Sequence, residues 1–128
     1  KIEKRALFYH FPIYLQAYNV LEDNGTDPLF RTRPGSVIIE DNWKLHHYFE
    51  NDKKELYNIE NDISESYDLS KVNVQKTTEL FNSLNSWREA NNAPIPFEKN
   101  IKYDQKFVDS INLLIIDGKL SDRINTNW

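Results

Sequence analysis

The chain has 128 residues, enough for one domain, with a net charge of −4 at pH 7. Cysteine and methionine are both absent, which excludes disulfides, thiolate metal sites, cysteine nucleophiles and Fe–S clusters within the chain. The acidic balance argues against nucleic acid or an anionic membrane as the main partner, and no apolar run approaches the roughly 20 residues of a membrane span.

The first half of the chain predicts a four-stranded antiparallel sheet. A short apolar and aromatic run from Arg5 to Phe11, stopped by Pro12, fits a buried strand. Further strands are predicted at 36–40, 43–49 and 55–59, separated by turns rich in Asp and Asn. The connection over 16–35 lacks periodicity and is long for a compact domain, and such loops are usually functional or mobile.

The second half predicts two helices. Apolar side chains at helical spacing over about 74–91 indicate an amphipathic helix, with Asn73 as its N-cap and Pro94 beyond its end. A second helical pattern covers 107–115 and places Gly118 at the C′ position. We therefore predict an α+β fold: a four-stranded antiparallel sheet with one long amphipathic helix packed on one face, plus a short C-terminal helix.

The histidines predict no metal site. His46 and His47 are neighbours on a predicted strand, so their side chains point to opposite faces and cannot both bind one ion. No other ligand cluster has metal-binding spacing. His10 lies where a strand opens into a long loop, which is a common place for a binding group; the alternative is a strand-end histidine with both ring nitrogens bonded to backbone.

A basic loop precedes the second predicted strand, with the sequence Arg31-Thr32-Arg33-Pro34-Gly35-Ser36. Its two guanidinium groups and the exposed N–H groups around glycine are able to hold a sulfate, phosphate or carboxylate. The alternative is a solvated loop whose charges offset the acidic surface. No serine-nucleophile motif or glycine-rich phosphate loop occurs, so these residues alone describe a small α+β domain without a complete active site.

Five short segments of the chain, taken in order, match a known sequence pattern. They are Arg5–Tyr14, Arg33–Ile38, Asn42–Leu45, Glu55–Asn58 with Asn61, Asp62 and Glu65, and Asn92–Pro96. Together they resemble the C-terminal subdomain of formylglycine-dependent, arylsulfatase-like sulfatases. The resemblance extends from Leu7 to Pro96 and implies that residues 1–100 form this subdomain, a four-stranded sheet with a long helix. Residues 101–128 would then be an extra helical tail.

The resemblance also implies a function. The chain would be the C-terminal fragment of an enzyme that hydrolyses sulfate esters of carbohydrates, in the periplasm or outside the cell. It would supply a wall of the substrate cleft, with His10, Tyr14, Arg31 and Arg33 binding the sulfated carbohydrate. Its partner would be the sulfatase catalytic domain, part of the same full-length protein, which would carry the formylglycine and the calcium ion. No nucleic acid partner is expected.

The chain departs from the family pattern at several positions. Ile13, Tyr9, Ile39 and Ile63 replace residues that are usual in the family, and no proline completes the formylglycine precursor motif Cys/Ser-x-Pro-x-Arg. The chain alone is therefore expected to be inactive. The alternative is a stand-alone, non-catalytic module that binds an anionic glycan or a partner protein. An exposed apolar patch along the first strand or the tail helix would favour the fragment.

Overall fold

A computed structural model describes residues 4–15, 27 and 30–116. The elements in chain order are β1 (Leu7–Phe11), β2 (Gly35–Glu40), β3 (Trp43–Tyr48), β4 (Lys53–Asn58), α1 (Val74–Ala90) and α2 (Gln105–Ile116). The strands form one antiparallel sheet in the order β1-β2-β3-β4, and α1 packs on it. The α+β fold predicted from the sequence is therefore confirmed.

The described residues fall into two compact units. One contains residues 4–14 and 33–96, with the sheet and α1; the other contains the described parts of 15–32 and 97–116, with α2. The predicted boundary between residues 100 and 101 stays a prediction. Gly118, the tail from Lys119 onward and most of the long loop over 16–35 lie outside the described residues.

The core lies between α1 and one face of the sheet. Ile38, Leu45 and Leu56 stand opposite one another on three adjacent strands and form one apolar row. Leu80 and Leu84 of α1 cover that row, and all five side chains have no exposed surface. The alternation of the strands and the helical spacing of α1 therefore place their apolar residues in a single cluster.

The ends of α1 follow the sequence signals. The side chain of Asn73 accepts a hydrogen bond from the backbone N–H of Lys76 at 3.2 Å, so the predicted N-cap is confirmed. The last helical turn carries Trp87, whose ring stacks on Phe8 of β1 with 5.0 Å between ring centroids. This stack joins α1 to the edge strand β1, in addition to the contacts of α1 with β2, β3 and β4.

The face of the sheet opposite α1 carries an apolar stripe. Leu7, Tyr9 and Phe11 of β1 are 42%, 56% and 38% exposed, and they lie beside the half-buried Val37 and Ile39 of β2. We refer to these five residues as the outer stripe. Within the part of the chain that the structure describes, neither helix has the length and hydropathy needed to cross a bilayer.

Gly35, the first residue of β2, has no room for a side chain. A Cβ atom there would lie 2.8 Å from the backbone carbonyl oxygen of His47, which belongs to the paired strand β3. We expect Gly35→Ala to lower the free energy of unfolding by about 1–3 kcal/mol, because the strand ladder must shift to relieve the clash. Urea denaturation measures this change, and a loss below about 0.5 kcal/mol would contradict the clash.

Candidate functional site

The candidate site lies at the end of the sheet where β1 ends and β2 begins. Phe11, Gly35 and Tyr48 stand opposite one another there, because neighbouring strands run in opposite directions. Next to these positions Glu50 bonds to Tyr14 and to Arg33, and His10, the neighbour of Phe11, bonds to Ser36 of β2. We refer to His10, Tyr14, Arg33 and Glu50 as the strand-end site.

His10 uses both ring nitrogens. Its Nε2 lies 2.9 Å from the backbone carbonyl oxygen of Pro94, and its Nδ1 lies 2.8 Å from the hydroxyl of Ser36. A carbonyl oxygen only accepts, so Nε2 carries a proton, and in the neutral ring Nδ1 accepts from Ser36. The ring also packs against Phe49 and Trp87, with centroids 5.7 and 6.5 Å away. His10 is thus held in one orientation by four neighbours.

Glu50 joins Tyr14 to Arg33. Its Oε2 accepts from the Arg33 guanidinium at 2.7 Å, and its Oε1 accepts from the Tyr14 hydroxyl. The side chains of Arg33 and Glu50 are 33% and 35% exposed, so this ion pair faces solvent. Sequence reasoning missed Glu50. The available signal was a carboxylate directly after a strand that ends beside the basic loop.

Arg31 belongs to the second compact unit, where its backbone N–H donates to the carbonyl oxygen of Leu15 at 2.8 Å. Leu15 also forms an antiparallel bridge with Thr32. Within the first unit, the structure places His10, Tyr14 and Arg33 at the same end of the sheet, and it adds Glu50 as the partner of Tyr14 and Arg33.

A buried polar network lies on the helix side of the same sheet end. Arg88 of α1 is only 4% exposed, and its guanidinium donates to Nδ1 of His47 at 2.8 Å and to the side-chain oxygen of Asn85. His47 is 7% exposed, and its Nε2 bonds to Asp52 at 2.7 Å. The signal in the sequence was an arginine on the apolar side of the predicted helix, which the prediction left without a role.

His46 points to the opposite face of the sheet, as strand alternation predicts. Its Nε2 lies 2.7 Å from the carboxylate of Glu65, which also pairs with Lys44. Burial lowers the pKa of His46, and the nearby Glu65 offsets part of that effect. In residues 4–15, 27 and 30–116, no three His, Asp or Glu side chains are grouped so that they could hold a metal ion.

The described residues form a small α+β domain with an exposed Arg33–Glu50 ion pair at one end of its sheet. No family model matches the chain. The chain is similar to a protein named Sulfatase from Formosa agariphila, with 33% identity over 102 residues. The match covers 72% of this chain and 16% of that relative. The chain is therefore related to part of a sulfatase, a relation that the order of its sequence segments also indicates.

Proposed function

We propose that the chain is the C-terminal part of a sulfatase that hydrolyses sulfate esters of carbohydrates, and that it forms one wall of the substrate cleft. The observation that carries this proposal is the 33% identity to the Sulfatase over 102 residues. The chain spans only 16% of that relative's length, so the remaining part would supply the catalytic centre. Formylglycine there would provide the nucleophile, and calcium would stabilise charge on the sulfate group.

The strand-end site has the chemistry to bind a sulfated sugar. A guanidinium donates parallel hydrogen bonds to the oxygens of an anion, and a phenol hydroxyl bonds to sulfate or sugar oxygens. Glu50 holds the Arg33 and Tyr14 side chains through one carboxylate. An incoming sulfate would compete with Glu50 for the Arg33 guanidinium, because both are anions. His10 would form an ordered surface beside them.

The exposed outer stripe supports the proposal that the chain packs against a catalytic domain. Folded monomers rarely expose large contiguous apolar patches unless the patches bind something. β1 has no charged Asp, Glu, Lys or Arg side chain that would discourage association through this face. α1 covers the opposite face of the sheet, which leaves the outer stripe for the partner. The exposed apolar stripe therefore favours the proposal that the chain is part of an enzyme over the proposal that it is a stand-alone glycan-binding module.

Binding of a sulfated carbohydrate tests the role of the strand-end site. We expect a sulfated monosaccharide to shift the amide NMR signals around Arg33 and Tyr14, and its unsulfated counterpart to leave them unchanged. Arg33→Ala should weaken binding by about tenfold or more, because it removes charged hydrogen bonds. Arg5→Ala is the matched control, since it removes the same charge on the chain segment before β1, at the other end of that strand.

Two results would contradict this role. One is equal binding of the sulfated and unsulfated sugars, and the other is an equal loss of affinity in Arg5→Ala.

Two further measurements distinguish part of an enzyme from a stand-alone module. If the chain is part of an enzyme, the chain alone should not hydrolyse an aryl sulfate, and the reading frame upstream of Lys1 should encode Cys/Ser-x-Pro-x-Arg. A start codon at that position would support the module.

A further inference from the structure

The contact between Arg88 and His47 determines the protonation state of the histidine. A guanidinium carries only N–H donors, so the His47 Nδ1 atom, 2.8 Å away, must be the acceptor. His47 is then neutral, with its single ring proton on Nε2 and directed at the Asp52 carboxylate 2.7 Å away. Any proton added to His47 would therefore be placed on the nitrogen that faces the buried Arg88.

We propose that Asp52, His47 and Arg88 form a pH-sensitive latch. While His47 is neutral, the latch holds the Phe49 ring against His10 of the strand-end site, and it releases that ring when His47 is protonated. This inference concerns the chain's own conformation and does not depend on the proposed function.

The charges around His47 oppose its protonation. Arg88 faces it from α1 and Lys54 from β4, while Asp52 faces it from the turn between β3 and β4. Ser36 of β2 is its cross-strand neighbour, and the rings of Phe49 and Phe81 pack against it.

Asp52 is the carboxylate bonded to His47, but it offers limited compensation. Its Oδ1 atom also pairs with Lys54 at 2.9 Å, and its side chain is 75% exposed, so water screens its charge. Arg88 is buried, so its repulsion is screened less. Burial lowers the pKa of His47; the hydrogen bond to Asp52 raises it in part, and Arg88 and Lys54 lower it further.

Two chains of contacts connect the latch to the strand-end site. The Phe49 ring lies 5.4 Å from the His47 ring, 5.6 Å from the Arg88 guanidinium carbon and 5.7 Å from the His10 ring. Its backbone N–H also donates to Pro34, next to Arg33. Displacement of Arg88 would therefore move the aromatic ring that supports His10.

The second chain of contacts uses the end of α1. The carbonyl oxygen of Arg88 accepts from the N–H of Ala93 at 3.0 Å, and the next residue, Pro94, accepts from His10. Movement of the last helical turn would thus reach the His10 ring from a second direction.

The pH dependence has a defined sign. The pKa of His47 is lowered from about 6.5 in the folded chain, so below that pH the unfolded chain binds more protons. Stability from the latch is fully present above about pH 6.5 and is lost as the pH falls toward the folded pKa. The latch is therefore closed at neutral pH and opens only below pH 6.5, as the pH falls through the lowered pKa of His47.

An NMR titration of the full chain tests the latch. We expect His47 to have its proton on Nε2 at pH 7.5, and the cross-peak between the Phe49 and His10 rings to disappear as His47 is protonated. Arg88→Gln keeps a donor for Nδ1 but removes the charge, so the proton affinity of His47 should rise by about tenfold. Arg5→Gln is the matched control and should leave that affinity unchanged.

The proposal is overturned if Arg88→Gln leaves the pKa of His47 unchanged, or if the Phe49–His10 cross-peak persists once His47 is protonated. Should Arg88→Gln fail to fold, His47→Asn replaces it, because the Asn side-chain oxygen accepts from Arg88 at every pH. The fall in the thermal midpoint of unfolding between pH 7.5 and 5 should then be smaller than in the wild type. A fall as large as the wild type's would equally overturn the latch.

His46→Asn completes this comparison. Burial also lowers the pKa of His46, so it contributes to acid sensitivity from the other face of the sheet. The His47→Asn variant should lose the part of the fall in thermal midpoint that the latch causes. The His46→Asn variant should still show that part. No carbohydrate is present in any of these measurements, so their outcome is separate from the test of the proposed function.

Discussion

Leu84→Ala is expected to lower the free energy of unfolding by about 2–5 kcal/mol. Leu84 has no exposed surface and packs in the cluster that joins α1 to the sheet. Its neighbours include Ile38 and Leu45, whose backbones are fixed by pairing with adjacent strands, so they cannot move together to fill the space. The substitution therefore removes apolar contacts and leaves a cavity. Urea denaturation at neutral pH measures the effect.

Val72→Ala is the control for this substitution. Val72 is 82% exposed, so its truncation should change the free energy of unfolding by no more than about 0.5 kcal/mol. Small domains are stable by only about 5–15 kcal/mol, and the Leu84 variant would lose a large fraction of that. Equal effects of the two substitutions would contradict the packing of α1 on the sheet.

Trp87→Ala is expected to lower the free energy of unfolding by about 3 kcal/mol and to change the surroundings of His10. The Trp87 ring stacks in parallel on Phe8 and lies 6.5 Å from the His10 ring. Removing it takes away the aromatic contact between α1 and β1, which is the strand that carries His10. Urea denaturation measures the stability, and the NMR signals of the His10 ring report the local change.

Trp87→Phe separates the contribution of the aromatic stack to stability from the role of Trp87 in positioning His10. It keeps an aromatic ring opposite Phe8, so it should retain most of the stability that the alanine variant loses. If the His10 signals in Trp87→Ala match those of the wild type, then Trp87 does not position His10. In that case the hydrogen bonds to Ser36 and Pro94 are sufficient to hold the ring.

The strand-end site and the His47 latch share one structural feature. Polar side chains at this end of the sheet bond to one another: Glu50 to Tyr14 and Arg33, and Asp52 to His47. In our proposals, the exposed strand-end site would bind the anionic ligand, and the buried Arg88–His47 contact would make the support of that site depend on pH. Arg33→Ala and Arg88→Gln would then separate ligand binding from the pH response.

Sequence patterns determined the order and type of the secondary structure. Alternation along 36–40 and 43–49, the Asp and Asn residues in the turns and the helical spacing over 74–91 were sufficient for the sheet and α1, because these signals act over a few residues. The cap at Asn73 was readable for the same reason. The relation to a sulfatase was also readable from short segments in order, and the identity to the Sulfatase supports it.

Only the tertiary structure decided which polar groups meet. Arg33 and Glu50 are 17 residues apart, and His47 and Arg88 are 41 residues apart, so no local pattern indicates either contact. The partners are determined by strand register and by the rotation of α1 on the sheet. Those depend on the packing of the whole core, and for that reason the sequence alone left Glu50 unnoticed and Arg88 without a partner.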